Sequence, residues 1–237
     1  MQMNESDSQK ALPAPIIIGR ATLYNCDCLD FMATVADGLY SLAVVDPPYG
    51  IEKEISVGGG SHTKNKTHFH QLYSEGHKRW DIRPSMFYFS ELQRISRNQI
   101  VCGGNYFANA LPVSRGWAVW DKVTDGFTSV HPELIYTSFH KACGIFRRCQ
   151  GLNNGFLNKE GGNIHPTQKP IELYTWLLSQ YASKGDTIID THMGSGSSVI
   201  AAINAGFDIT ACEVDSEYFN AARRRIERSQ LQGRLEL

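Results

Sequence analysis

Apolar and polar positions along this chain follow two alternating periods. Residues 16–25, from Ile16-Ile17-Ile18 to Leu23-Tyr24, read as a strand region. Asp27 to Ala33 then opens a helix with Leu29, Phe31 and Met32 apolar. Ser41–Val45 is a continuous apolar run, the pattern of a strand buried on both faces of a parallel sheet. Met86–Ile95 returns to helical spacing, and Gln99–Cys102 is the next strand, closed by the tight loop Gly103-Gly104-Asn105. Trp117–Trp120 and Glu133–Thr137 are further strands. Pro170 starts a helix that reaches Tyr181, with Leu173, Trp176, Leu177 and Tyr181 on one stripe. Thr187–Asp190 is a strand, Ser197–Ala205 a helix stopped by Gly206, and Ile209–Cys212 a strand. Ser216–Arg228 is a last helix behind an Asp215/Ser216 cap. Strands alternating with helices, without an internal repeat, predict an α/β domain on a mostly parallel sheet.

Two stretches break the alternation. Residues 51–79 are rich in Gly, His, Ser and Lys, and Ala142–Asn163 is rich in Gly and Asn; both read as loops. A polar, proline-containing tail covers residues 1–15, so a single domain is expected over 16–237. Composition adds little to this. The 237 residues are 42% hydrophobic and 20% charged, with a net charge of −1. No stretch has the length and apolarity of a membrane span, no signal-peptide pattern opens the chain, and six cysteines do not make a disulfide scaffold. A reducing cytoplasm is the expected compartment. Charge distribution says more than the total. Lys64, Lys66, Lys78, Arg79, Arg83, Arg94 and Arg97 crowd one stretch, and Lys141, Arg147, Arg148 and Lys159 another. Such faces suit phosphate contacts, Arg147 and Arg148 among them.

The strongest chemical signal is Asp46-Pro47-Pro48-Tyr49-Gly50, directly behind the buried strand. An exocyclic amino group on a nucleobase has its lone pair delocalised into the ring, and to attack an electrophile it must become more tetrahedral. A carboxylate and a fixed carbonyl that accept its N–H bonds favour that change. Asp46 and the Pro47 carbonyl offer these acceptors. Pro48 stiffens the loop, and Tyr49 offers a face on which a base can stack.

A second loop, Asp190-Thr191-His192-Met193-Gly194-Ser195-Gly196-Ser197, joins a strand to a helix. Its glycines allow a ligand close to the backbone at a helix N-terminus. Glu213 ends the next strand, where an acid can hold ribose hydroxyls. The third glycine of a dinucleotide loop would fall at Val199, and Asp190 is unfavourable beside a pyrophosphate but suits a cationic methionine amino group. S-adenosylmethionine fits this loop better than a nicotinamide cofactor.

Leu23–Leu29, Asp46–Gly50, His165-Pro166-Thr167-Gln168-Lys169-Pro170, Asp190–Ser198 and Glu213-Val214-Asp215 together resemble the amino-group DNA methyltransferases, the N6-adenine and N4-cytosine enzymes. Because Asp46 precedes the glycine loop, the resemblance is to their permuted β group. It implies a Rossmann-like, mostly parallel doubly wound sheet, circularly permuted, with target recognition inserted at roughly 51–165. It also implies S-adenosylmethionine as cofactor, and double-stranded DNA with a flipped base as partner, in a bacterial or phage-encoded protein that can form a homodimer. Asp46, Pro47, Pro48 and Tyr49 would be catalytic. Asp190, His192, Gly194, Ser195, Gly196 and Ser197 would line the methionine end, Glu213 the ribose, Asp27 and Cys28 the adenine, and Thr167 and Lys169 the methionine carboxylate. Asp at position 46 points to adenine N6, with cytosine N4 as the alternative. Departures are Thr191-His192 in place of Pro-Phe, Cys26 in place of Gly, and Ser197-Ser198 in place of threonines.

Other readings fit less well. A non-catalytic nucleic-acid-binding subunit predicts an eroded loop, and both loops are intact. RNA and protein-glutamine methyltransferases usually carry Asn at position 46 and place the cofactor loop first. His62, His68, His70 and His77, or Cys26 and Cys28, lack zinc-ligand spacing, so no metal is expected.

Overall fold

Ser41–Val45 has apolar side chains on both of its faces, and the fold covers both. In the computed structural model of the chain, residues 11–51, 82–123, 132–148, 164 and 168–235 are described. Strand β3 (Tyr40–Val45) lies near the middle of a nine-stranded sheet of order β1-β2-β9-β8-β3-β4-β6-β5-β7. The other strands are β1 (Ile16–Ile18), β2 (Ala21–Tyr24), β4 (Ser96–Cys102), β5 (Trp117–Asp121), β6 (Glu133–Thr137), β7 (Gly144–Arg147), β8 (Thr187–Asp190) and β9 (Asp208–Cys212). The central run β2-β9-β8-β3-β4 is parallel throughout. Antiparallel pairing is confined to β1 on β2 and to β6 against β4 and β5.

Alternate residues of β3 serve opposite layers. Leu42 and Val44 pack with Leu173, Leu177, Val199, Ile200 and Ile226. These come from α3 (Ile171–Tyr181), α4 (Ser197–Asn204) and α5 (Ser216–Leu235). Ala43 and Val45 pack with Phe31, Met32, Tyr88, Phe89 and Leu92, from α1 (Cys28–Met32) and α2 (Met86–Ile95). Each fully buried Leu, Val, Ile or Phe contributes roughly 1.5–3 kcal/mol, so the two layers fix the position of β3 from both sides. No helix among the described residues is long and apolar enough to cross a membrane.

The path of the sheet reverses between β8 and β3. From β8 the chain crosses to β9, and from β3 it crosses the other way to β4. Ligands in such sheets bind where the carboxyl ends of the strands open at this reversal. Leu42 pairs with Ile188 and Ala43 with Ile189, so the loops behind Val45 and Asp190 leave the sheet side by side.

Four elements differ from the sequence expectation. Residues 16–25 form two strands, because the Gly19-Arg20 turn folds β1 back onto β2. Gly144–Arg147 is a strand, paired with β5 at the sheet edge, inside a stretch that reads as loop. Helix α5 runs to Leu235 rather than Arg228. Residues 82–148, expected within a target-recognition insertion, supply α2 and β4–β7 of the common sheet. His62, His68, His70 and His77 and most lysines of that insertion lie outside the described residues.

Candidate active site

Asp46 follows the last residue of β3, and its carboxylate is held at both oxygens. The Lys169 ammonium donates to Oδ2 at 2.6 Å, and the Tyr49 hydroxyl donates to Oδ1 at 2.8 Å. Lys169 also donates to the Tyr49 oxygen at 3.0 Å and pairs with Glu133 Oε1 at 3.2 Å. Glu133 Oε1 lies 3.0 Å from the Tyr49 hydroxyl, and its Oε2 pairs with Lys122 at 3.4 Å. Side-chain exposure is 5% for Lys169, 9% for Glu133 and 16% for Asp46. Charges this buried persist only when paired, and here two carboxylates meet two ammonium groups. Burial pulls the Lys169 pKa down, but Asp46 and Glu133 outweigh it and the net direction is up, so Lys169 stays charged. Burial first, then Asp46 and Glu133, push the Tyr49 phenol well above its ordinary range, so it stays a donor.

Asp46, Cys102 and Glu133 bring donor atoms within 4.8 Å of one another, but the Lys169 ammonium already bonds both carboxylates of that group.

The Tyr49 ring is fixed as firmly as its hydroxyl. It stacks on Tyr106 with centroids 4.9 Å apart, and Phe107 meets it edge-on at 6.0 Å. Gly103 makes this approach possible. Its φ is +63°, and a Cβ there would fall 2.4 Å from Tyr49 Cε1. Arg83 Nε donates to the Tyr49 carbonyl at 3.0 Å.

The loop behind β8 is held differently. Asp190, 1% exposed, accepts from the His192 amide at 3.0 Å and from the Ser198 hydroxyl. Glu213 accepts from the Gly194 amide at 2.9 Å and the Asp215 amide at 3.0 Å. Arg225 of α5 donates to the Ser195 carbonyl at 2.8 Å and the Ser197 hydroxyl at 2.9 Å. Gly196 turns the chain into α4 at φ +76°, with Ile226 packed where a Cβ would stand. Burial pushes the Asp190 pKa up to about 7, against the hydrogen bonds from Ser198 and His192. Burial lowers His192 to about 4, while Asp27 works the other way. His192 Nδ1 lies 3.0 Å from the Thr191 hydroxyl, which meets the Tyr88 hydroxyl at 2.6 Å.

The residues singled out in the sequence fall into two groups. Asp46–Tyr49 and Lys169 form the first. Asp190, His192, Gly194–Ser197 and Glu213 form the second, and Asp27 at the N-terminus of α1 is close enough to act on His192. Asp27 caps α1 by accepting from the Leu29 amide at 2.7 Å. Burial pushes the Cys28 thiol up to about 12. Lys169, expected at the methionine carboxylate, bonds Asp46. Thr167 lies outside the described residues. Glu133, Lys122, Gly103, Tyr106, Tyr88 and Arg225 were not singled out beforehand. The signal for Glu133 and Lys122 is a charge of each sign at the end of an apolar strand, Trp117–Asp121 or Glu133–Thr137. The basic side chains expected at phosphates are partly committed inside the chain. Arg147 pairs with Asp121 at 3.1 Å, Arg148 with Glu172 at 2.8 Å, and Arg94 with Glu91 at 2.8 Å and Asp37 at 2.7 Å.

A carboxylate loop and a glycine loop, side by side at the reversal of a doubly wound sheet, define a Rossmann-like methyltransferase. The family described as DNA methylase, of the N6/N4 methyltransferases, matches residues 90–224, more than half of the chain. The chain therefore belongs to the amino-group DNA methyltransferases. Among relatives, it is 22% identical to the type II methyltransferase M1.MboII of Moraxella bovis, over 84% of this chain and 94% of that one. It is 29% identical to the putative methylase YubD of Escherichia coli K12, over 87% and 92%. Among solved structures, the M1.HpyAVI–SAM complex superposes with a TM-score of 0.56 at 15% identity, over 87% of this chain and 98% of that one. The cytosine-N4-specific PvuII DNA methyltransferase gives 0.58 at 12%, over 89% and 90%. At these identities the structural likeness speaks for the fold.

Proposed function

We propose that this chain transfers a methyl group from S-adenosylmethionine to the N6 amino group of an adenine flipped out of DNA, at the Asp46–Tyr49 loop. The observation that carries the reading is the Asp46 carboxylate at the carboxyl end of β3, directly beside the glycine loop of β8. The charges at the glycine loop fit this cofactor. Asp27, Asp190 and Glu213 make an acidic surround, suited to a ligand with sulfonium and ammonium charges and unsuited to a pyrophosphate. In this reading Glu213 holds the ribose, Asp27 and Cys28 border the adenine, and Asp190 with the 192–197 backbone takes the methionine end.

When bound, the cofactor supplies the electrophilic methyl group. Asp46 and the Pro47 carbonyl accept the two N–H bonds of the target amino group and draw its lone pair out of conjugation. Pro48 keeps both acceptors in place. The Tyr49 and Tyr106 rings form an aromatic wall against which a flipped base can stack. No strong base is required, because the nitrogen becomes acidic as it is methylated.

Adenine is favoured over cytosine by Asp at position 46. Modified-base sequencing of DNA from cells expressing the chain tests this directly. N6-methyladenine within one recognition sequence is expected, N4-methylcytosine would overturn the choice of base, and unmodified DNA would overturn the reading. Asp46→Ala should lower the transfer rate by about a thousandfold or more while S-adenosylmethionine still binds.

A further inference from the structure

Glu133 belongs to no loop that reads as catalytic, yet it touches two side chains that hold Asp46. Its Oε1 stands 3.0 Å from the Tyr49 hydroxyl and 3.2 Å from the Lys169 ammonium, and Oε2 is tethered by Lys122 at 3.4 Å. The Tyr49 hydroxyl has one proton and two carboxylate acceptors within reach, Asp46 Oδ1 at 2.8 Å and Glu133 Oε1. Its oxygen in turn accepts from Lys169 at 3.0 Å.

The arrangement poses a problem that Glu133 resolves. Each Asp46 oxygen already accepts one hydrogen bond before any substrate arrives, Oδ2 from Lys169 and Oδ1 from Tyr49, and although a carboxylate oxygen can accept a second, the two donors then compete for it. A target amino group needs one of them. Losing Lys169 would strand a buried charge, whereas losing Tyr49 costs one hydrogen bond, and even that is recovered if the phenol proton finds another acceptor.

We propose that Glu133 is a positioning residue of the methyl-transfer site, the acceptor to which the Tyr49 hydroxyl turns when the target amino group takes Asp46 Oδ1. The exchange is a rotation of one O–H bond. No covalent bond forms or breaks, and no heavy atom has to move, because the Tyr49 oxygen already sits between the two carboxylates. Lys169 bridges Asp46 and Glu133 throughout, so the charges stay paired at each stage. The inference rests on the methyl-transfer reading above and adds a residue from a strand that the loop motifs do not include.

The test uses the full chain, S-adenosylmethionine and an unmethylated DNA carrying the recognition sequence, with single-turnover rates and separate binding constants for cofactor and DNA. Glu133→Gln weakens the second acceptor, leaves the Tyr49 proton on Asp46 and should slow transfer by about tenfold with both binding constants unchanged. Glu133→Asp keeps the charge between Lys122 and Lys169 but withdraws the acceptor from Tyr49, and should slow transfer in the same way if the Gln protein does not fold. Tyr49→Phe removes the competing donor, so adding it to either variant should bring the rate to that of Tyr49→Phe alone. A residue that only stabilises the fold cannot produce that suppression. Unchanged rates in the Glu133 variants, or losses that multiply in the double variants, would overturn the role of Glu133. Asp46→Ala separates the two levels: if it retains full activity, the methyl-transfer reading itself fails, whatever Glu133 does.

Discussion

The two loops at the sheet reversal are neighbours in space, and they are built by opposite means. The Asp46 loop is held by charges and rings that come from elsewhere: Lys169 ahead of α3, Glu133 on β6, Lys122 beyond β5, and Tyr106 behind β4. The β8 loop is held by its own Asp190 and by bonds from the next strand and helix. Asp190 accepts from residues two and eight positions further on, and Glu213 takes the Gly194 amide from the next strand. The difference is functional. The β8 loop has carboxylates committed to its own backbone, so its shape exists before a ligand arrives. The Asp46 loop has its acceptors in ion pairs and a phenol hydrogen bond, which a substrate amino group must partly replace. One loop is a mould and the other is an exchangeable network.

The largest expected effect comes from moving a ring. Gly103 lies against Tyr49, and a Cβ added there would fall 2.4 Å from Cε1 and 2.5 Å from Cζ. Gly103→Val should displace Tyr49, loosen its grip on Asp46 and lower the single-turnover rate by about a hundredfold or more, since roughly 1 Å of misplacement has that effect. S-adenosylmethionine binding should be little affected, because none of the hydrogen bonds that hold Asp190, Gly194, Ser195 and Ser197 comes from Tyr49. Gly185→Ala is the control. That glycine also has positive φ, at +93°, but nothing lies within 4 Å of its added Cβ, so it should cost about 1–2 kcal/mol of stability and no activity. Equal losses of cofactor affinity and rate in Gly103→Val would break the separation between the loops.

How much of this contrast is legible in the sequence follows from how each loop is built. Asp190, Gly194, Gly196 and Glu213 lie on consecutive elements, so their spacing carries the information. β3 and β8 announce themselves because they are buried on both faces. The partners of Asp46 are invisible by the same logic. Glu133 reaches Tyr49 only because β6 pairs antiparallel with β4 and β5, a register no local pattern encodes. Strand β7 escapes notice because it is a short edge strand with Ile145 58% exposed, without the apolar run of a central strand. Beyond Arg228, α5 carries Ser229-Gln230-Leu231-Gln232, mostly polar but compatible with a helix, and the first glycine, Gly233, comes only near its end.

A smaller effect should fall on the other loop. Arg225 reaches from α5 to the Ser195 carbonyl and the Ser197 hydroxyl, and is 6% exposed. Arg225→Met keeps the apolar stem and removes these bonds, each worth about 1–3 kcal/mol when a buried partner is left unmet. The dissociation constant for S-adenosylmethionine should rise about tenfold, read by calorimetry, while the transfer rate at saturating cofactor stays within about twofold of the unaltered chain. A fall in rate at unchanged affinity would show that the β8 loop governs chemistry as well as binding, and the contrast would have to be redrawn.

The smallest effect is a slope, and it bears on the claim that the carboxylate and imidazole of the β8 loop are buried in a preformed mould. Asp190 titrates near pH 7 in the folded chain and near 4 when unfolded. Its raised pKa means the folded state holds the proton longer, so its contribution to stability is full below about pH 4 and is lost as pH rises through 7. His192 does the reverse. Its pKa drops to about 4 from an ordinary value near 6.5, so its contribution is full above about pH 6.5 and is lost as pH falls through 4. Between pH 4 and 6.5 the two slopes oppose each other, on the order of 4 kcal/mol for Asp190 and about 3 kcal/mol for His192 across their ranges at about 1.4 kcal/mol per pKa unit. Asp190→Asn leaves only the histidine, and its urea midpoint should climb with pH through this window more steeply than that of the unaltered chain. His192→Gln leaves only the aspartate, and its midpoint should climb less steeply or fall. Comparing slopes rather than absolute midpoints cancels the groups that all three proteins share, together with the fixed cost of each substitution. If both variants keep the slope of the unaltered chain, Asp190 and His192 titrate as exposed groups do, and the β8 loop is as open to water as any surface turn.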